Sequence, residues 1–390
     1  MVEAFVTPSL IKWARERYKL TTEAAARKVR IDPQVLDDWE KGEARPSLHQ
    51  AQEYAQKLNL PFGYLFLSSP PILRLPLPDL RTVGDAPPRE PSPEFYDLIN
   101  DVMSKQEWYH EYRESLDAEP LPFVGRFASL QDKSQIADDI CKELGVNDAM
   151  RATARSWEQF LVNLIRKAED LGILVLRNGV VGNNTRRPLS TEEFRGFAIS
   201  DDLAPLIFLN SLDSKAAQIF TLAHELTHLW MGQSAVSNPN YLSEQNNDVE
   251  SLCNEIAAEI LVPAKDFLIR WDEGTTIFQN LQRLATRYRV STWVILRRAL
   301  EVKKIDYSTY RSNLDKLITQ QEVHRNTGTD GGGGNFYLTL LSRNSRSLTS
   351  AVISATAEGR LLRRDAARLL NVQVSTLSGI AKNIFGSKLA

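Results

Sequence analysis

The stretch SSPPILRLPLPDLRTVGDAPPREPSP, residues 68–93, is dense in proline. Proline has no backbone donor and restricts the residue before it, so this segment cannot continue a helix or sit inside a sheet. It is expected to be an extended linker, and it divides the chain into parts that must each bury a core of their own. A second breaker, NTGTDGGGGNFY at 326–337, is expected to be a flexible hinge, because its run of glycines leaves the backbone unrestrained. A chain of 390 residues is long enough for two or three such cores.

Between these breaks the patterning is mostly helical. Residues 1–67 show apolar positions at helical spacing, interrupted near Asp32-Pro33, Gly42 and Pro46. Residues 94–154 read as a helical connector, 155–270 as the central domain, 271–325 as further helix, and 338–390 as a basic helical segment. Two short runs bounded by breakers, LGILVLRNGVV (171–181) and APLIFLN (204–210), read as strands. The expected class is mainly α with a small β-sheet (α+β). If APLIFLN lies at a sheet edge it can take up an extended peptide by strand addition; as a plain core strand it cannot.

Composition narrows the function classes. The formal net charge is −2, which announces no nucleic-acid partner for the molecule as a whole. Two cysteines, Cys141 and Cys253, exclude a disulfide framework and fit a reducing cytoplasm. No apolar run approaches the roughly 18 residues of a membrane span. MVEAFVTPSL lacks a basic start followed by an apolar stretch, so no signal peptide is expected.

The strongest chemical signal is TLAHELTHLW, residues 221–230. On a helix, His224 and His228 stand one turn apart on one face and can aim two imidazoles at one ion. Glu225 is rotated about 100° from His224, close enough to touch a water held by that ion. Ala216, Ile219, Ala223, Leu226 and Trp230 form a separate apolar stripe that anchors the helix. Catalytic zinc keeps three protein ligands, so a third is sought on a second helix. DVESLCNEIAAEILVP, residues 248–263, offers one: Val249, Leu252, Ile256 and Ile260 make its buried stripe, and Glu250 and Asn254 share an adjacent face. Glu250 is the preferred ligand, with Asp248, Glu255 and Glu259 as rivals. Asn254 can brace a ligating histidine through its other ring nitrogen. His49, His110 and His324 are isolated in sequence and read as ordinary histidines.

Such a site hydrolyses amides. Zn2+ lowers the pKa of its water to about 7 and polarises the scissile carbonyl. Glu225 then serves as the base that moves the water's proton to the leaving amine, work worth about 10²–10⁴-fold.

The stretch RGFAISDDLAPLIFLNSLDSKAAQIFTLAHELTHLW, followed by ESLCNEIAAEILVP, resembles the ImmA/IrrE metallopeptidases over roughly residues 155–300. The resemblance implies a zincin-like fold, zinc on His224, His228 and Glu250, and Glu225 as base; Cys253 stands where the family usually has alanine. It also implies cleavage of a repressor-like protein substrate at one or few sites. LQRLATRYRVSTWVILRRAL (281–300) resembles the helix-turn-helix-like segment that follows such peptidases.

LTTEAAARKVRIDPQVLDDWEKG, with Trp39-Glu40-x-Gly42 and Pro46, resembles the XRE (Cro-type) helix-turn-helix. Its recognition helix would be Asp32 to Glu40, lying in the major groove. This sequence departs from the pattern there: Asp32, Pro33, Asp37 and Asp38 occupy positions that usually carry groups able to meet bases or phosphates. Arg30, Gln34 and Lys41 are the remaining candidate DNA contacts, and the alternative use of the domain is packing or dimerising with protein. Basic charge gathers instead in 341–390, where eight Lys/Arg, among them Arg360, Arg363, Arg364 and Arg368, face Glu358 and Asp365, a net +6. That face can meet a nucleic-acid backbone or an acidic protein.

The expectation is an intracellular regulatory zinc endopeptidase fused to a DNA-binding-type domain, possible as a homodimer. The alternative is an antitoxin or transcriptional repressor that binds a toxin-like nuclease and operator DNA. There the peptidase domain would be a scaffold, a sensor or a self-cleavage device.

Overall fold

The computed structural model describes residues 2–71, 77, 91–129, 132–237, 248–325 and 336–386. Most of the proline-rich stretch, the glycine run, Lys388 and the side chain of His324 lie outside the described residues. No helix among those described is long and apolar enough to cross a membrane. The chain divides into two compact units, residues 1–76 with 90–97, and residues 77–89 with 98–390.

The first unit is built on α1 (Pro8–Arg17), α2 (Thr22–Val29), α3 (Pro33–Lys41) and α4 (Leu48–Lys57). Each start has a chemical cause. Pro8 opens α1, and the side chains of Thr21, Asp32 and Ser47 accept backbone N–H groups at the starts of α2, α3 and α4. Left-handed residues Arg30 (φ 64°) and Gly42 (φ 78°) stop α2 and α3. The quoted Trp39-Glu40-x-Gly42 pattern acquires a reason here. Trp39 enters the core with Leu36 and Tyr54, while Glu40 accepts a two-pronged pair of bonds from Arg15 at 2.7 and 2.8 Å, tying α3 to α1.

The second unit contains α5 (Pro93–Glu114, from residue 98), α6 (Lys133–Leu144), α7 (Asp148–Thr153) and α8 (Trp157–Asp170). These lead into β1 (Leu174–Asn178), β2 (Val180–Val181), β3 (Asn184–Pro188), β4 (Gly196–Ile199) and β5 (Leu206–Asn210). Then come α9 (Lys215–Trp230), β6 (Ala235–Ser237), α10 (Asp248–Leu261), α11 (Ala264–Arg270), α12 (Ile277–Tyr288), α13 (Thr292–Glu301) and α14 (Tyr307–Arg325). The C-terminal helices are α15 (Phe336–Asn344), α16 (Arg346–Ala357), α17 (Arg363–Leu369) and α18 (Leu377–Phe385). The main sheet has the order β1-β5-β4-β6, with β1 and β5 parallel and the other pairs antiparallel; β2 and β3 form a separate ribbon.

The APLIFLN strand is therefore interior. β5 is hydrogen-bonded to β1 on one side and β4 on the other, and all five of its residues are buried. Peptide addition to its edge is foreclosed, and burial on both faces explains why the run is apolar up to its last residue, the buried Asn210. The strands β4 and β6 were not expected; at four and three residues they are too short to show an alternation.

Helix α9 lies in the core. Every residue from Gln218 to Trp230 is buried, polar ones included, so burial extends around the whole cylinder and beyond the expected apolar stripe, whose first member Ala216 is only half-buried. It packs on α6, α8, α10, β4 and β5. At its end Trp230 stacks on Phe123 with ring centroids 4.4 Å apart, and its indole N–H donates to Asp139 at 2.8 Å.

Candidate metal centre

The Ser214 hydroxyl caps α9 by accepting from Ala217 N, which fixes the helical register. That register puts His224 and His228 one turn apart, with ring centroids 4.9 Å apart. Helix α10 packs against the same face and contributes Glu250. The Nε2 atoms of the two histidines are 3.1 Å apart. The two Glu250 oxygens lie 3.2 Å from them, one facing each ring. A tetrahedral zinc with bonds of about 2.0 Å holds its ligand atoms about 3.3 Å apart, so this triangle has the dimensions of one face of such a site. His224, His228 and Glu250 thus form a candidate metal-ion group.

The chemistry of the donors fits as well. Both Glu250 oxygens are buried and neither accepts a well-formed hydrogen bond. A buried carboxylate without such bonds is costly unless a cation completes it. Burial pushes the Glu250 carboxyl up, but while the facing His224 and His228 rings carry protons they outweigh burial and hold it down at about 2; a cation that replaces those protons in the triangle keeps the carboxyl ionised in the same way. His224 Nδ1 lies 3.0 Å from Asn254 Oδ1. With Nδ1–H donating there, Nε2 is left unprotonated and facing the triangle. The other imidazole has a softer support, since His228 Nδ1 faces Cys253 Sγ at 3.8 Å. Burial keeps that thiol protonated, and it points at Nδ1 rather than into the triangle.

Two of the rivals of Glu250 are committed elsewhere, and the side chain of the third, Asp248, lies outside the described residues. Glu255 pairs with Lys133 at 2.8 Å, and Glu259 pairs with Arg298 at 3.2 Å. His110 meets Asp201 at 2.9 Å, an ion pair that accounts for both; that hydrogen bond holds the imidazole above its ordinary pKa. His49 is exposed and 3.7 Å from Glu53.

Glu225 is fully buried on α9 beside His224 and is not one of the clustered donors. Its position depends on a residue that sequence reasoning missed. A Cβ on Gly196 would sit 2.5 Å from Thr221 Cγ2, 2.9 Å from the Phe208 carbonyl oxygen and 3.1 Å from Glu225 Oε1. Strand β4 approaches the metal helix this closely only because Gly196 has no side chain. A glycine opening a short strand ahead of the helix was the available signal.

The candidate DNA contacts are differently placed. On α3 the Gln34 amide donates to Asp38 at 2.9 Å, and Lys41 pairs with Asp37. The helix neutralises its own polar groups. Arg30 is exposed in the turn between α2 and α3. Arg360, Arg363, Arg364 and Arg368 are all exposed around α17, with Arg360 paired to Glu358 and Arg364 to Asp365.

Residues 168–300, which contain every strand among the described residues, α9 and α10, match the family model of peptidase family M78, the IrrE N-terminal-like domain. The chain carries an IrrE-like peptidase domain. Its three clustered donors all fall inside the match, as does the α12–α13 pair, whose turn holds Arg289 in the left-handed region. Residues 11–65 match a helix-turn-helix family model, so the IrrE-like domain is fused to a domain of the DNA-binding type. Residues 344–383 match a domain of unknown function. No curated protein gives a match.

Proposed function

We propose that this chain is a regulatory zinc-dependent endopeptidase that cleaves a repressor-like partner protein. The observation that carries the reading is the convergence of His224, His228 and Glu250, with donor atoms 3.1–3.2 Å apart, inside the IrrE-like segment. Two imidazoles and a carboxylate are a zinc donor set, and the bound ion supplies a Lewis acid and an acidified water. The protein's own groups do the rest. Asn254 holds His224 in the ligating tautomer, and the ionised Glu250 offsets the cation's charge. Glu225 takes the proton of the attacking water and delivers it to the departing amine.

His224, His228 and Glu225 are 0% exposed and Glu250 is 1% exposed, so a substrate carbonyl gains access only when the surrounding chain moves. That burial supports an enzyme closed at rest and opened by a signal. It also favours, as a second reading, an antitoxin or repressor in which the IrrE-like domain is a scaffold or sensor for a toxin-like nuclease. Purified protein incubated with candidate partners separates the two. Wild type cleaves the partner and Glu225→Gln binds zinc without cleaving it. Cleavage that persists in Glu225→Gln overturns the mechanism, and binding without cleavage by wild type selects the second reading.

A further inference from the structure

Away from the metal centre, two cavities flank the contact of α15 with β1. One, of about 590 Å³, is lined by Arg177, Arg343, Lys215, Ser211 and Ser342, and no Asp or Glu lines it among the described residues. The other, of about 500 Å³, is mainly apolar, with Val162, Ile165, Val175, Leu341 and Ile384 in its wall. Arg177, Leu338 and Ser342 belong to both, so the two adjoin.

Arg177 and Arg343 are the unusual groups. Both are half-buried, and neither pairs with a carboxylate among the described residues. Arg177 donates only to the Ser342 hydroxyl, at 3.1 Å, and Arg343 to the Asn183 side chain, at 2.6 Å. Burial pushes both guanidiniums below their ordinary pKa; for Arg177 the nearby Glu158 carboxylate offsets burial only in part, and for Arg343 burial acts alone. Other arginines withdrawn from water in this unit are matched by carboxylates, as Arg298 is by Glu259 and Glu301 and Arg126 by Asp139 and Glu143, or satisfied by a backbone carbonyl, as Arg289 is by Ala154. Glu169, the acid in the apolar cavity, is engaged by the Ser345 hydroxyl and Arg346 N. Ser211 and Lys215 bring the start of α9 into the polar cavity, and the positive end of that helix adds to the field.

We propose that these adjoining cavities bind a small amphipathic anion, its oxyanion held by Arg177 and Arg343 and its apolar body lying between α8, β1, α15 and α18. Guanidinium forks suit carboxylates and phosphates alike, and no macromolecule is needed to complete the site. The ligand would rest against the first turn of the helix that carries His224 and His228.

The test is calorimetric titration of the full chain with octanoate, octyl phosphate, inorganic phosphate and 1-octanol. Octanoate or octyl phosphate binds with one site per chain, and whichever is tighter identifies the oxyanion. Inorganic phosphate and 1-octanol bind at least tenfold more weakly. Arg177→Gln and Arg343→Gln each weaken binding at least tenfold, with melting curves confirming that the variants fold; if one fails to fold, the other decides. No binding of either amphiphile at millimolar concentration overturns the proposal. So does equal binding of 1-octanol, or unchanged affinity in a folded variant.

Discussion

Replacing Gly196 with alanine tests how closely strand and metal helix are fitted. The added methyl meets Thr221 Cγ2 at 2.5 Å and the Phe208 carbonyl oxygen at 2.9 Å, both inside contact distance, and Glu225 Oε1 at 3.1 Å. None of these can yield easily. Phe208 lies on an interior strand paired with β4 itself, and Thr221 is 2% exposed on a helix packed on every side. Overpacking of this kind costs typically about 1–3 kcal/mol. For a unit of this size a loss of about 2 kcal/mol lowers the melting temperature by about 3 °C. The assay is thermal unfolding of the metal-free protein, followed by circular dichroism, for wild type, Gly196→Ala and Gly196→Ala with Thr221→Ser. The serine removes the methyl responsible for the shortest contact, so the double variant recovers part of the loss. A Gly196→Ala protein that melts with wild type, or a double variant no better than the single one, refutes the fitted interface.

Three further outcomes are expected. Asn254→Leu removes the acceptor that fixes the His224 tautomer, and zinc affinity measured by chelator competition falls about 10–100-fold. The His110–Asp201 pair makes stability depend on pH. The Asp201 hydrogen bond raises the His110 pKa, so its contribution is complete below the unfolded value near 6.5 and is lost as pH rises through the folded value. Burial pushes Asp201 up, but His110 and the backbone N–H groups of Ala204 and Leu203 hold it down, so its share is present above about 3.9 and lost in acid. Asp201→Asn, which can still accept from those N–H groups, flattens the decline of urea-unfolding stability above pH 6.5. Finally, Glu40→Gln weakens the bonds from Arg15 and destabilises the first unit by about 1.5–3 kcal/mol, read as an earlier transition in urea unfolding of the whole chain.

The clustering of His224, His228 and Glu250 was legible because its information is local. The four-residue spacing of His224 and His228 sets their common face. The same reasoning on α10 selects Glu250 and Asn254, which meet the histidines, over Glu255 and Glu259, which turn to Lys133 and Arg298. Pairing between strands is not local. Nothing in APLIFLN says whether β4 covers its second edge, and β4 itself is a four-residue run with a glycine whose value lies in what touches it. The acidic helix α3 carried a readable pattern that went unused: Gln34 with Asp38, and Asp37 with Lys41, stand four apart and bond within the helix. Arg177 and Arg343 were beyond sequence reasoning, because strand and helix far apart in the chain bring them to one cavity.

The most direct test of the account is the zinc content of the purified, zinc-loaded and desalted protein, by elemental analysis, for wild type, His228→Ala and Glu250→Ala. One zinc per wild-type chain is expected, and substoichiometric zinc in both variants while they remain folded. Wild type without zinc, or variants that hold as much as wild type, would contradict it.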